Sequence, residues 1–344
     1  MDTWATSSVT PQIACGWADD PELFAATFPM DLRPQGPEII RTWLFDTIVR
    51  AHFEHGTLPW RDTTINGWVL DPDRKKMSKS KGNVVTPMPL LEQHGADAIR
   101  YWAASGRPGT DTAVDEGQMK VGRRLSIKLL NVSKFVLGVM GEGTTGAVTE
   151  PIDRSMLGAL ASTIEDCTVA FAAYDYARAL ERAERFFWDF CDDYVELVKY
   201  RAYGEAEDPA AMSARSALAT ALSVLQRLFA PFLVYVAEEV WSWWQEGSIH
   251  RAAWPTVPEV GETQDRTVFD AAAAVLSAVR KAKSEAKVSM RAAVARAVVT
   301  DSAGHLEALA LAVEDVRNAG VVSELDAVVG EPLTVAVTLA PTDS

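Results

Sequence analysis

The chain has 344 residues, 48% hydrophobic and 23% charged, with a net charge of −14. That length exceeds what one core organises, so two to four domains are expected, and the composition is globular rather than disordered or fibrous. The acidic balance rules out blanket attraction to nucleic acid and leaves only locally basic surfaces for such a partner. No apolar run approaches the roughly 18 residues of a membrane span, and no cationic segment followed by an apolar one opens the chain, which reads as cytoplasmic. Cys15, Cys167 and Cys191 are odd in number and far apart, so buried thiols are expected rather than a disulfide framework or a zinc site. His52 and His55 lie three apart with no third ligand in sight, and no metal site is expected there.

Residues 1–85 mix short apolar runs with Pro and Gly breaks, the texture of part of an α/β domain. The pattern predicts a helix over 39–49 and a strand over 67–70. That strand feeds the run Arg74-Lys75-Lys76-Met77-Ser78-Lys79-Ser80-Lys81-Gly82-Asn83, which holds five cations, two hydroxyls and no acid. Lysine ammoniums can follow charge developing on a leaving pyrophosphate, and the small residues let backbone and hydroxyls approach phosphates. The plainer alternative is a solvated basic turn between a strand and a helix.

Residues 86–118 read as a connecting module, with a helix over 89–104 and a Gly/Asp-rich stretch over 106–115. Long amphipathic helices follow, over 121–140, 155–171, 174–203 and 212–245. In the third, Ala177, Leu180, Ala183, Phe187, Cys191, Tyr194 and Val198 form one apolar stripe, and a helix bundle buries such stripes most simply. Phe186, Phe187, Trp188 and Phe190 are wider than one stripe; core packing is the expected use, stacking on bases the alternative. Between residues 117 and 141 there is no carboxylate, while Lys120, Arg123, Arg124, Lys128 and Lys134 fall at helical spacing. Over 280–296, Arg280, Lys281, Lys283, Lys287, Arg291 and Arg296 face a single Glu285. Each stretch is either a solvated face or a salt-sensitive RNA contact. A helix ending near 286, strands over 295–300 and 333–339, and a helix over 303–318 predict a small α+β domain.

Lys76 to Ser80 spell KMSKS, a match expected by chance in about one chain in ten thousand of this length. Followed by Lys-Gly-Asn, it resembles the second signature of class I aminoacyl-tRNA synthetases. The resemblance implies that Lys76, Met77, Ser78, Lys79 and Ser80 bind ATP, brought with Mg2+, and that Lys76 and Lys79 are catalytic, Lys79 foremost. Met1-Asp2-Thr3-Trp4-Ala5-Thr6-Ser7-Ser8 and Glu38-Ile39-Ile40-Arg41-Thr42-Trp43 resemble the valyl branch of that class. By this likeness Trp4 and Trp43 wall the amino-acid pocket, and Gly36 and Glu38 lie near the adenosine. The isoleucyl pattern, which continues Trp-Phe-Asp-Ser-Gly, fits less well. The run from Phe186 to Tyr194, Leu228-Phe229-Ala230-Pro231-Phe232, Glu238-Glu239-Val240-Trp241 and Ala253-Trp254-Pro255 resemble the helical anticodon-binding domain, which implies a tRNA partner; Arg123, Arg124 and Lys128 of the first basic stretch are the contacts expected for it.

The fold so implied is multidomain, α/β plus mainly α: 1–85, the second half of a Rossmann-like catalytic domain with the KMSKS loop; 86–118, a stem-contact connector; 119–258, the anticodon-binding bundle; 259–344, a small α+β domain. The implied activity is ATP-dependent activation of valine and its transfer to tRNA(Val). One departure matters. No HIGH signature, first half of the nucleotide fold or editing domain is present. The chain is therefore expected to be inactive alone, to need an amino-terminal HIGH-containing half, and to hold residues 1–85 poorly without it. A non-catalytic tRNA-binding protein and a truncated remnant remain as alternatives.

Overall fold

A computed structural model describes residues 3–141, 146–261 and 265–341 of the chain. Met1 and Asp2 of the valyl-like opening segment, and residues 262–264 of the interdomain linker, lie outside the described residues.

Three short helices open the fold: α1 (Thr3–Ser7), α2 (Thr10–Ala14) and α3 (Pro21–Thr27). In α3, Pro21 sits in the first turn and the Asp20 carboxylate accepts from Leu23 N at 3.0 Å, satisfying one of the free amides of the helix start. Strand β1 (Met30–Gln35) pairs in parallel with β2 (Trp60–Ile65), and α4 (Phe45–His55) makes the crossover between them. The helix predicted over 39–49 departs from expectation. It starts as a 3-10 turn at Pro37–Ile39, widens to a π turn at Ile40–Leu44, and becomes α-helical only at Phe45.

Strand β3 (Val69–Leu70) pairs not with that sheet but with β4 (Thr112–Ala113), beyond α5 (Pro87–His94) and α6 (Ala96–Ser105). The single helix predicted over 89–104 is thus two, broken at Gly95, whose φ of +87° is open to glycine and strained for other residues. Gly67, just before β3, is needed for a different reason. A Cβ there would meet the Thr110 carbonyl oxygen at 2.1 Å, and backbone cannot swing aside as a side chain can. Gly67→Ala is expected to cost about 1–3 kcal/mol by forcing the two segments apart. The sensitive reading is amide exchange at Thr112 and Val114, which donate to the Trp68 and Leu70 carbonyls; unchanged protection there would contradict the account.

The bundle comprises α7 (Glu116–Met140), α8 (Pro151–Ala172), α9 (Tyr176–Asp189), α10 (Val195–Ala202), α11 (Pro209–Phe229) and α12 (Val234–Trp241). The helix predicted from 174 starts at Tyr176, because Tyr174 takes a left-handed φ of +58°, and a π turn at Phe190–Tyr194 interrupts its course. The helix predicted over 212–245 also breaks, around Pro231, which has no N–H to continue the ladder. The Asp97 carboxylate then accepts from Tyr235 N and Val236 N at 3.0 and 2.8 Å, tying α6 to the start of α12. Phe186, Phe187 and Phe190 are buried, Trp188 packs against the core from its edge, and core packing therefore claims the rings that stacking on bases would have needed exposed. Burial of each such ring contributes roughly 1.5–3 kcal/mol.

The last unit holds α13 (Thr267–Glu285), β5 (Val294–Asp301), α14 (Ala303–Ala310), α15 (Val313–Gly320), β6 (Val322–Val329) and β7 (Thr334–Leu339). Its sheet runs β6-β5-β7, with β5 parallel to β6 and antiparallel to β7. Strand β6 is absent from the sequence expectation, and the helix predicted over 303–318 is two short ones. Among the described residues no helix is long and apolar enough to cross a membrane, and the three cysteines are buried and unbridged. Burial and the nearby Asp166 push the Cys167 thiol up to about 12.

Candidate functional site

The parallel register carries β1 and β2 to a shared carboxyl edge, where Gln35 stands opposite Ile65 and the Gln35 carbonyl accepts from Asn66 N at 2.8 Å. Ligands of open α/β sheets bind at such edges. Gly36 leaves β1 there, with the Glu38 carboxylate folded over it, so that a Cβ on Gly36 would come within 2.9 Å of Glu38 Oε2. From β2 the chain passes through Asn66 and Gly67 into β3 and the basic loop.

Trp43 is buried on the π turn. Its indole donates to the Ser7 carbonyl at 2.9 Å, stacks on Trp60 at 6.0 Å between centroids, and lies under the Arg33 guanidinium at 4.2 Å. Trp4, on α1, is 40% exposed. The ring against Trp43 is thus Trp60, a residue that sequence reasoning did not single out. Burial draws the Arg33 guanidinium below its usual pKa, and Arg33 Nε has no hydrogen-bond partner among the described residues. Both side-chain polar atoms of Gln12, Gln35 Oε1 and His55 Nε2 share that condition, although Gln12 and Gln35 are each 1% exposed. Buried polar atoms are seldom left so. His55 is boxed by Trp17, Phe24 and Phe28, while His52 lies against Phe53, and among the described residues no three His, Cys, Asp or Glu side chains gather as metal ligands.

The basic loop has a rigid root and a free crown. At the root Arg74 takes a left-handed φ of +62°, Leu70 bridges Lys76, and Asp71 accepts from Lys75 N at 2.7 Å and from Asn83 Nδ2 at 2.7 Å. Those hydrogen bonds, the Lys75 one foremost, hold the Asp71 carboxyl below the usual range. Lys76 Nζ lies 3.4 Å from the centre of the Trp68 ring, and Met77 turns inward so that its sulfur accepts from Val85 N at 3.3 Å. At the crown Lys79–Lys81 form one 3-10 turn. The Ser78 hydroxyl caps it by accepting from Lys81 N and lies 3.2 Å from Ser80 Oγ, and Gly82 closes it at φ +68°. Among the described residues the Lys79 and Lys81 ammoniums have no ion pair. Two free ammoniums, two hydroxyls and no competing carboxylate on the crown suit a polyanion.

The cations of the bundle divide sharply. Arg123 donates to the Gln93 carbonyl at 2.8 Å, and Lys128 pairs with Asp192 at 2.7 Å, whereas Arg124 is exposed with no ion pair among the described residues. Exposed Lys120, Arg124, Ile127, Asn131 and Lys134 recur at three- and four-residue steps along one face of α7. The second basic stretch is largely consumed within the fold. Arg280 binds Asp192 and Asp193, Lys281 lies near Glu285, buried Lys283 donates to the Met290 and Gly320 carbonyls, and Arg296 pairs with Asp326. Among the described residues only Lys287 and Arg291 of its six cations make no side-chain hydrogen bond or ion pair, so most of this stretch is already engaged within the fold.

Residues 1–115 match the family of class I tRNA synthetases (I, L, M and V), and residues 153–299 match the anticodon-binding domain of tRNA ligases. The chain thus belongs to the class I tRNA synthetases, carrying a catalytic-type module and an anticodon-binding module of that family. Over nearly all its length it is similar to the carboxy-terminal part of valine–tRNA ligases: 63% identical to that of Thermobifida fusca over 94% of the chain and 58% identical to that of Salinispora tropica over 98%. It spans 37% and 42% of the lengths of those two relatives. In fold it is similar to a LeuRS of Agrobacterium radiobacter K84, solved as a LeuRS–tRNA–LeuAMS complex, with a TM-score of 0.64 at 17% identity over 96% of this chain and 41% of that one. Mycobacterium tuberculosis methionyl-tRNA synthetase, solved with methionyl-adenylate, gives 0.57 at 22% identity over 69% of this chain and 48% of that one.

Proposed function

We propose that the chain acts as the carboxy-terminal part of a valine–tRNA ligase, which uses ATP to activate valine and transfers it to tRNA(Val). The observation that carries this reading is the crown of the basic loop, where Lys79 and Lys81, with no ion pair among the described residues, stand on one short turn with Ser78 and Ser80. Lys79 and Lys76 meet the phosphates of ATP, Lys76 after leaving Trp68. Ser78 and Ser80 add donors, Met77 anchors the loop, and Gly36 and Glu38 face the adenosine. Magnesium travels on the triphosphate oxygens. Trp43 and Trp4 belong to the valine pocket, and Trp60 stiffens it from behind Trp43.

On this reading residues 1–85 complete a catalytic domain, 86–118 contact the acceptor stem, 119–258 hold the anticodon arm and 259–344 form an added α+β unit. The tRNA backbone lies along α7, where Arg124 is free, Arg123 is held by α5, and Lys128 must leave Asp192 to take part. An amino-terminal, HIGH-containing half packs on residues 1–85 in the cytoplasm. In its support, Ile13, Phe45, Phe53 and Leu58 are all more than half exposed, and unpartnered buried polar atoms of Gln12, Arg33, Gln35 and His55 lie in the same segment.

The test is valine-dependent ATP–pyrophosphate exchange by the purified chain, alone and then mixed with a separately produced HIGH-containing half of a related ligase. The chain alone should be silent and the mixture active. A mixture that stays silent while the chain still binds tRNA would replace this reading with that of a non-catalytic RNA-binding protein.

A further inference from the structure

Asn83 is the point at which the two strands of the basic loop are fastened together. Its Oδ1 accepts from Ser78 N at 3.0 Å, and its Nδ2 donates to the Lys76 carbonyl at 3.2 Å and to Asp71 Oδ2 at 2.7 Å. Asp71, 12 residues earlier and 6% exposed, uses its other oxygen on Lys75 N at 2.7 Å. One amide and one carboxylate thus engage three backbone groups of the loop, on both sides of Met77, and each other. Neither points at the crown: the Lys79–Lys81 turn is capped by Ser78, whose backbone N–H is the very group that Asn83 holds. Fixing Ser78 fixes the start of the turn, and the start of the turn sets where Lys79 projects.

We infer that Asn83, held by Asp71, is the positioning residue of this loop: it sets the geometry from which Lys79 meets the triphosphate without touching the nucleotide itself. The inference rests on the reading of the loop as the ATP site. The chemistry requires this pairing of types. A side-chain amide can accept from one backbone N–H while donating twice, asparagine does so on the shorter stem, and the ionised Asp71 carboxylate, which the Lys75 and Asn83 hydrogen bonds favour, gives one of those donors its stronger acceptor. Without Asn83, Asp71 Oδ2, Ser78 N and the Lys76 carbonyl lose their partner together, and a reacting group displaced by about 1 Å costs on the order of 10²-fold in rate.

Two readouts test it. In the chain itself, Asn83→Ala should speed amide exchange at Ser78 and Lys81 by about tenfold or more while exchange in α8 and α11 stays unchanged. In the assembled enzyme, Asn83→Ala should lower kcat for pyrophosphate exchange by roughly 10–100-fold with little change in KM for valine. The single changes Asp71→Asn, which sets donor against donor, and Asn83→Asp, which sets carboxylate against carboxylate, should be as harmful. Asp71→Asn/Asn83→Asp together restore a donor facing a carboxylate and leave only the Lys76 carbonyl unserved, so the pair should recover most of the exchange protection and of kcat. Unchanged exchange at Ser78 in Asn83→Ala, or a double exchange no better than its singles, overturns the inference. Loss of kcat in Lys79→Ala but not in Asn83→Ala overturns it too, while no loss in either overturns instead the reading of the loop as the ATP site.

Discussion

Lys79→Ala is expected to reduce valine-dependent pyrophosphate exchange by the assembled enzyme by about 10²–10³-fold, the usual effect of removing one preorganised group from a site of developing charge. The size follows from the state of the ammonium. Lys79 opens a capped 3-10 turn, is exposed, and has among the described residues no carboxylate to leave before it can meet a phosphate. Lys76 starts 3.4 Å from the Trp68 ring centre, and an exposed cation–π contact of about 0.5–1 kcal/mol must be given up before it can contribute. Lys76→Ala is therefore expected to cost several times less than Lys79→Ala. On the proposed reading both lysines follow charge that grows as pyrophosphate leaves, so the loss should fall on kcat at saturating ATP more than on KM for valine. An unchanged kcat in Lys79→Ala would remove the loop from the chemistry.

What could be read from the sequence divides by distance along the chain. The cations and hydroxyls of the loop are contiguous, so their clustering was visible in the sequence itself. The clasp beneath them was not, because Asp71 and Asn83 are 12 residues apart and nothing in either residue type announces the other. The long helices were legible through their stripes, and their breaks were missed where single residues override periodicity: Gly95 with its left-handed backbone and Pro231 without an N–H. Strand β6 escaped because only Val322 of its eight residues is buried, so the alternation that marks a half-buried strand is absent. The two basic stretches looked alike for the same reason. Arg280 finds its partners at Asp192 and Asp193, nearly ninety residues away, and only the fold reveals that the second stretch is largely engaged internally while Arg124 on the first has no ion pair among the described residues.

Long-range charge pairing also sets the largest stability effect expected in this chain. Arg201 on α10 donates twice to Asp153 on α8, at 2.8 and 3.1 Å, and twice to Asp315 on α15, at 2.7 and 3.2 Å, so one guanidinium bolts the bundle to the last domain. Asp153 is fully buried and also accepts from Tyr194 Oη and Ser213 Oγ. Arg201→Ala leaves two buried carboxylates without a cation, which should cost about 3–5 kcal/mol in denaturant unfolding at neutral pH. The deficit should shrink on acidification. Burial already raises the Asp315 carboxyl above its ordinary value despite Arg201, and removing the cation raises it further. A carboxyl whose folded pKa lies above its unfolded one binds more protons in the folded state, so stability falls as pH rises through that window and returns as pH is lowered through it. Adding Asp153→Asn and Asp315→Asn to Arg201→Met removes the uncompensated charge and should recover much of the loss, since what is costly is the orphaned partner rather than the missing pair. A loss below about 1 kcal/mol for Arg201→Ala, or one that grows toward pH 5, would contradict this account of the junction.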